Sequence, residues 1–140
     1  MSMDGGMALI DVYFDGASAG NPGLSGAGIY INHRKKEERL AVPLGVLSNH
    51  EAEFEAFIHA LSYCKNHGYL EVSFRTDSQL VNQSIEKGFV KRKGYQNYLE
   101  RATKLIDEFD LFFIKWIPSK QNKNADELAK KAIQDQLNQG

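Results

Sequence analysis

Ala8-Leu-Ile-Asp-Val-Tyr-Phe-Asp-Gly-Ala-Ser-Ala-Gly-Asn-Pro-Gly23 is the stretch on which the reading of the whole chain turns. Ala8 to Phe14 is an apolar, strand-like run. It ends at Asp15 and leads into the glycine-rich Gly16 to Gly23, so a first strand is expected from about Ala8 to Asp15. After the turn, Gly26-Ala-Gly-Ile-Tyr-Ile31 reads as a second strand. The charged His33 to Glu38 reads as a hairpin tip, and Arg39 to Leu44 as a returning third strand. Three strands with short connections predict an antiparallel meander.

Beyond the meander the apolar period lengthens. Ser48-Asn-His-Glu51 fits a capping box, with Ser48 as N-cap and Glu51 reaching back from the third helical position. The helix is expected to run to about His67 and stop at Gly68, which suits a left-handed C-terminal position. Ala56, Phe57, Ala60, Leu61 and Cys64 have the spacing of its buried stripe. Leu70 to Thr76 then reads as strand four, Ser78 to Lys87 as a short helix and Gly88 to Gly94 as a basic loop. Tyr95 to Glu108 follows as a helix, Leu111 to Ile117 as strand five and Asn124 to about Leu137 as a last helix. The order β-β-β-α-β-α-α-β-α contains passages that require parallel neighbours through right-handed crossovers. The predicted class is therefore α/β: a five-stranded mixed sheet, antiparallel meander plus parallel strands, with helices on both faces. Ligands of such sheets gather beyond the carboxyl ends of the parallel strands, where Asp15 and Asp77 are expected.

Bulk properties narrow the function classes. With 140 residues, 42% hydrophobic and 25% charged, the chain has the composition of a globular protein with one sizeable core. Residues 1–7 read as a disordered leader and residues 8–140 as a single domain. No apolar run approaches the ~20 residues that span a bilayer, and the cytoplasm is the expected compartment. The single cysteine, Cys64, has no intramolecular partner and falls on a helix's apolar stripe. A net charge of −1 gives no global sign of a nucleic-acid partner. The bases are clustered instead, as Lys87, Lys91, Arg92 and Lys93, then Lys115, Lys120 and Lys123, then Lys130 and Lys131.

Four acids stand out. Asp15 and Asp77 each follow a strand-like run, Glu53 lies in the first turns of a helix on the core side, and Asp126 opens the last helix. Each has an ordinary explanation: a turn former at Asp15, a cap at Asp77, a dipole-favoured first-turn acid at Asp126 and Glu53. Glu53 fits its explanation least, because three and four residues on lie Ala56 and Phe57, and a charge on that stripe needs a partner or a metal. Unpaired carboxylates from separated segments form a hard-oxygen set suited to Mg²⁺. Two such ions about 3.5–4 Å apart clamp the attacking and leaving oxygens of a phosphoryl displacement. The alternatives lack their residues: there is no His/Cys set with zinc spacing, no nucleophile elbow, and no Gly-Lys-Ser/Thr ending to the glycine-rich stretch.

At these residues the chain resembles type 1 ribonuclease H, in particular its compact bacterial and archaeal members. The markers are Phe14-Asp-Gly-Ala-Ser-Ala-Gly-Asn-Pro-Gly23, Ser48-Asn-His-Glu-Ala-Glu-Phe-Glu-Ala56, Thr76-Asp-Ser-Gln79 and Asn124-Ala-Asp-Glu-Leu-Ala-Lys-Lys-Ala132, in order from Ala8 to about Ile133. The resemblance implies a ribonuclease H-like fold and a metal-dependent endonuclease that cuts the RNA strand of an RNA–DNA hybrid. It implies Asp15, Glu53, Asp77 and Asp126 as catalytic, metal-binding carboxylates for two Mg²⁺ or Mn²⁺ ions with substrate bound. It further implies Gly16, Asn21, Asn49, His50, Ser78 and Gln79 as substrate-binding residues facing the hybrid's minor groove. A monomer is the simplest expectation.

The pattern departs from the family in three places. Pro118 to Ala125 lacks the family's loop histidine, with Lys120 the nearest basic residue. His50 stands where asparagine is usual, and the basic protrusion is reduced to Lys87 through Lys93. An active but weakly binding enzyme is expected. A binding module of the same fold that turns over poorly is the alternative, and the four acids argue against it, since phosphate binding alone gains by losing them. A strand-transfer or resolving nuclease of related fold is a third reading, separated by its preference for DNA duplex or junction.

Overall fold

The computed structural model describes residues 9–34 and 36–139. The leader expected at residues 1–7 and the first residue of the expected strand, Ala8, lie outside them. The elements follow the anticipated order: β1 (Ile10–Ser18), β2 (Gly23–His33), β3 (Lys36–Leu47), α1 (Asn49–Asn66), β4 (Glu71–Thr76), α2 (Gln79–Lys87), α3 (Gln96–Ile106), β5 (Leu111–Trp116) and α4 (Lys123–Gln139). Single 3₁₀ turns, Lys93–Tyr95 and Ser119–Gln121, lead into α3 and α4. No helix among the described residues is long and apolar enough to cross a membrane.

The strands form one mixed sheet in the order β3-β2-β1-β4-β5. The pairs β1–β2 and β2–β3 are antiparallel, while β1–β4 and β4–β5 are parallel. Alternation along β1 sends Ile10, Val12 and Phe14 into the core on the α1 side. There Phe14 stacks on Phe57 of α1 at 5.0 Å between ring centroids, and Phe74 of β4 meets Phe57 edge-on at 5.6 Å. The stripe foreseen on α1 is buried throughout, joined by Ala52, Phe54 and Ile58. Phe54 carries the packing outward to α3 by stacking on Tyr98. The capping box is present: the Ser48 hydroxyl accepts from Glu51 N, and the Glu51 carboxylate accepts from Ser48 N. Gly68 has φ +76°, as its position after the helix requires. α4 covers the other face of the sheet, over β2.

Several boundaries differ from the sequence reading. In both hairpins the antiparallel pairing runs further than charges and turn residues suggest, because cross-strand backbone bonding decides where a strand ends. β1 does not end at Asp15; it runs on to Ser18, because β2 begins at Gly23 and pairs Ser18 with Ser25. The glycine-rich turn is thereby reduced to residues 19–22. β2 and β3 pair out to His33 and Lys36, which shortens the expected hairpin tip, and β3 continues past Leu44 to Leu47 through a bulge. The third helix starts at Gln96 and ends at Ile106.

Candidate active site

The site begins where two parallel strands part. The β1–β4 ladder stops at Tyr13 and Arg75. Two residues further in the same register, Asp15 and Asp77 stand level, with β1 now bonded to β2 alone and β4 at its end. Asp15 is thus inside a strand, not after one.

Two glycines bring the other acids to that opening. Gly16 faces α1, and a Cβ there would lie 2.1 Å from the Ala52 carbonyl oxygen and 2.5 Å from Glu53 N. Only a bare backbone lets the first turns of α1 press on β1 and carry Glu53 in. Gly28, the β2 partner of Asp15, faces the opposite side, where a Cβ would lie 1.9 Å from the Ala125 carbonyl oxygen. α4 therefore rests on β2 and carries Asp126 in from the far face.

The electrostatic record of this convergence is Asp15. Burial, then the charges of Asp77 and Asp126, a hydrogen bond with Asp126 and the charge of Glu53 raise its pKa from 3.8 to about 8.

Protein donors hold the remaining carboxylates. Asn122 Nδ2 donates to Asp77 Oδ1 at 2.8 Å and to the Phe14 carbonyl at 3.0 Å, bridging the gap left by the interrupted ladder. Ser119 Oγ donates to Asp77 Oδ2 at 2.9 Å, and Trp116 Nε1 to the Asp77 carbonyl at 3.2 Å. Glu53 Oε1 accepts from Ser78 Oγ at 2.9 Å and lies 3.0 Å from His50 Nδ1. Lys130 Nζ pairs with Asp126 Oδ2 at 3.0 Å, and that hydrogen bond and charge raise the lysine's own pKa. Consistent with this engagement, no three Asp, Glu, His or Cys side chains among the described residues are already gathered around one ion-sized point. The donor set fits a divalent cation on chemical grounds. It is all hard oxygen, and burial together with the neighbouring acids holds the Asp15 carboxyl well above the usual aspartate range.

The expected substrate residues divide into two groups. Asn21, Asn49, His50 and Gln79 are exposed around the rim. Asn21 Oδ1 accepts from Asn49 N at 3.0 Å, which ties the glycine-rich turn to the start of α1. Ser78 and Gly16 are buried. The Ser78 hydroxyl donates to Glu53 and caps α2 by accepting from Val81 N, and Gly16 is covered by α1. Lys120 is exposed and makes no ion pair with the four acids. Trp116, whose indole reaches the Asp77 carbonyl, is 40% exposed and belongs to the site's edge.

Sequence reasoning missed Asn122 and Ser119. Asn122 has no role in the sequence reading, yet it is only 1% exposed. A polar residue just outside a helix reads as a cap, and nothing in the sequence says that it faces backwards. Beside the acids lies a cleft of about 420 Å³ lined by Asn21, Ser48, His50, Arg92 and Tyr95. It adjoins a second, of about 330 Å³, with Lys87, Phe89 and Lys91. The reduced basic loop thus shares a cleft, through Arg92, with His50, the neighbour of Glu53.

Comparison with known proteins agrees with this architecture. A family model described as reverse transcriptase-like matches residues 13–132. A protein of Enterococcus faecalis provisionally named hydrolase EbsB is 42% identical, over 90% of this chain and 95% of its own length. The crystal structure of RNase H1 from the halophilic archaeon Halobacterium salinarum superposes with a TM-score of 0.85 at 31% identity, covering 91% of this chain and 98% of that one. The crystal structure of LC11-RNase H1 in complex with an RNA/DNA hybrid superposes with a TM-score of 0.81 at 30% identity, covering 91% and 99%.

Proposed function

Since the chain belongs to the ribonuclease H family, we propose that it is a metal-dependent endonuclease that hydrolyses the RNA strand of RNA–DNA hybrids. The observation that carries this is the convergence of Asp15, Glu53, Asp77 and Asp126 from two strands and two helices, registered in the raised pKa of Asp15. A structural cluster of acids gains nothing from such repulsion. A catalytic one uses it to hold cations.

In this reading the four carboxylates would hold two Mg²⁺ or Mn²⁺ ions when substrate is bound, and these would supply charge neutralisation at the phosphate and a more acidic water. The chain's own residues do the rest. Gly16 sets how closely α1 approaches β1, and Gly28 how closely α4 approaches β2. Ser78 orients Glu53, and Asn122 with Ser119 orients Asp77. Asn21, Asn49, His50 and Gln79 meet the hybrid in its minor groove, where the 2′-hydroxyls of one strand distinguish RNA from DNA. Arg92, with Lys87 and Lys91, offers positive charge to the hybrid's backbone. The enzyme acts as a monomer in the cytoplasm.

The test is cleavage of an end-labelled RNA–DNA hybrid in Mg²⁺ or Mn²⁺, beside duplex RNA, duplex DNA and a DNA junction, with Asp77→Asn as control. Cutting confined to the hybrid, dependent on metal and absent in the variant, is expected. Hybrid binding without cutting in either metal would instead identify a binding module of this fold. Cutting of DNA duplex or junction would identify a strand-transfer or resolving nuclease.

A further inference from the structure

Asp77 is the one acid of the four with both carboxylate oxygens held by donors from a single turn. Oδ1 accepts from Asn122 and Oδ2 from Ser119. These residues bracket the 3₁₀ turn between β5 and α4, closed by Gln121 N to the Pro118 carbonyl and by Asn122 N to the Ser119 carbonyl, both 2.9 Å. They differ in surroundings. Asn122 is buried and shared with the Phe14 carbonyl, so it is a fixed strut of the fold. Ser119 is exposed, and its hydroxyl has one hydrogen-bond partner among the described residues, the Asp77 carboxylate. Its donation therefore does little for the core and acts mainly on the orientation of Asp77.

We propose that Ser119 is a positioning residue of the reaction: its hydroxyl fixes the solvent-facing oxygen of Asp77, so that the carboxylate presents one orientation to a divalent cation. Without it, Asp77 remains anchored at Oδ1 by Asn122 but swings about that bond, and part of the binding free energy goes into ordering it. The inference rests on the reading of Asp77 as a metal-binding acid. It concerns a residue of the β5–α4 turn that touches neither substrate nor ion. In this turn the hydroxyl at 119, not the ammonium at 120, reaches the acids.

Mn²⁺ affinity, read by the loss of the free-ion paramagnetic resonance signal, is to be measured for the full chain as wild type, Ser119→Ala, Ser119→Thr and Asp77→Asn. Melting in EDTA and kcat and KM on the hybrid accompany it. Removing an outer partner of a ligating carboxylate weakens metal binding or activity by about tenfold or more. Ser119→Ala is expected to weaken Mn²⁺ binding by about that factor and to lower kcat. KM for the hybrid and the melting point in EDTA stay at wild-type values, and Ser119→Thr, which keeps the hydroxyl, recovers the affinity. Wild-type Mn²⁺ affinity in Ser119→Ala overturns the proposal, as does a Thr variant no better than Ala. If Asp77→Asn also binds Mn²⁺ as wild type does, the assignment of Asp77 falls. If only the Asp77 variant loses binding, the role of Ser119 alone falls.

Discussion

Replacing Asp15 by Asn should stabilise the metal-free protein at alkaline pH while removing its activity. The amide keeps the shape of the side chain, takes away one of four crowded negative charges and can donate to Asp126. The magnitude follows from the displaced pKa. Displacement from 3.8 to about 8, at about 1.4 kcal/mol per pH unit, sets a ceiling of about 6 kcal/mol. Burial leads the displacement, and relaxation around the buried carboxylate offsets part of its cost, so about 2–4 kcal/mol is the expected difference. The sign is fixed by linkage: the folded state holds a proton on Asp15 that the unfolded chain has released, so wild-type stability falls as pH rises from 3.8 and levels off above about 8. Urea unfolding in EDTA at pH 4 and at pH 8.5 measures this. The two proteins should nearly coincide at pH 4, and the variant should be the more stable at pH 8.5, melting about 5–15 °C higher. Mg²⁺ should raise wild type at pH 8.5 and leave the variant little changed. A variant no more stable than wild type in EDTA at pH 8.5 would refute the claim that the acids repel one another.

Three further outcomes are expected. Gly28→Ala drives a methyl into the Ala125 carbonyl; the strain costs about 1–3 kcal/mol in urea unfolding, and hybrid cleavage falls because Asp126 is displaced with α4. Phe57→Ala empties the centre of the Phe14–Phe57–Phe74 cluster and should cost about 3–5 kcal/mol, measured as a shift in the denaturant midpoint. Arg92→Ala, at the shared edge of the two clefts, should raise KM for the hybrid, leave kcat near wild type and flatten the salt dependence of binding by about one counterion.

What the sequence made legible was whatever local chemistry announces. Ser48 and Glu51 signal a helix start because both halves of the capping box lie within four residues. The α1 stripe is readable because burial has a period. The four acids were found because charges at element boundaries and on a core face are conspicuous. The length of β1 was not readable, since whether Asp15 ends a strand depends on where β2 begins pairing, eight or more residues on. The roles of Asn122 and Ser119 were invisible for a related reason. Their partner, Asp77, is 45 and 42 positions away in the chain, and a neutral side chain carries no sign of which way it faces. Ser78 and Gly16 show the converse: motif membership marks them, yet burial decides what they touch.

The Asn122 strut also has a consequence in time. It spans 108 positions to the Phe14 carbonyl, so a ribosome releases Asp15, Glu53 and Asp77 well before the residue that ties Asp77 to the strand carrying Asp15. Contacts of such separation close late, after the local helices and the hairpin have formed. A nascent chain therefore carries three of its four acids in a half-built pocket and acquires cutting power in a single final event, when α4 docks. Pulse-labelling hydrogen exchange should find the α4–β2 contact among the last to gain protection, and the onset of hybrid cleavage during refolding should coincide with it.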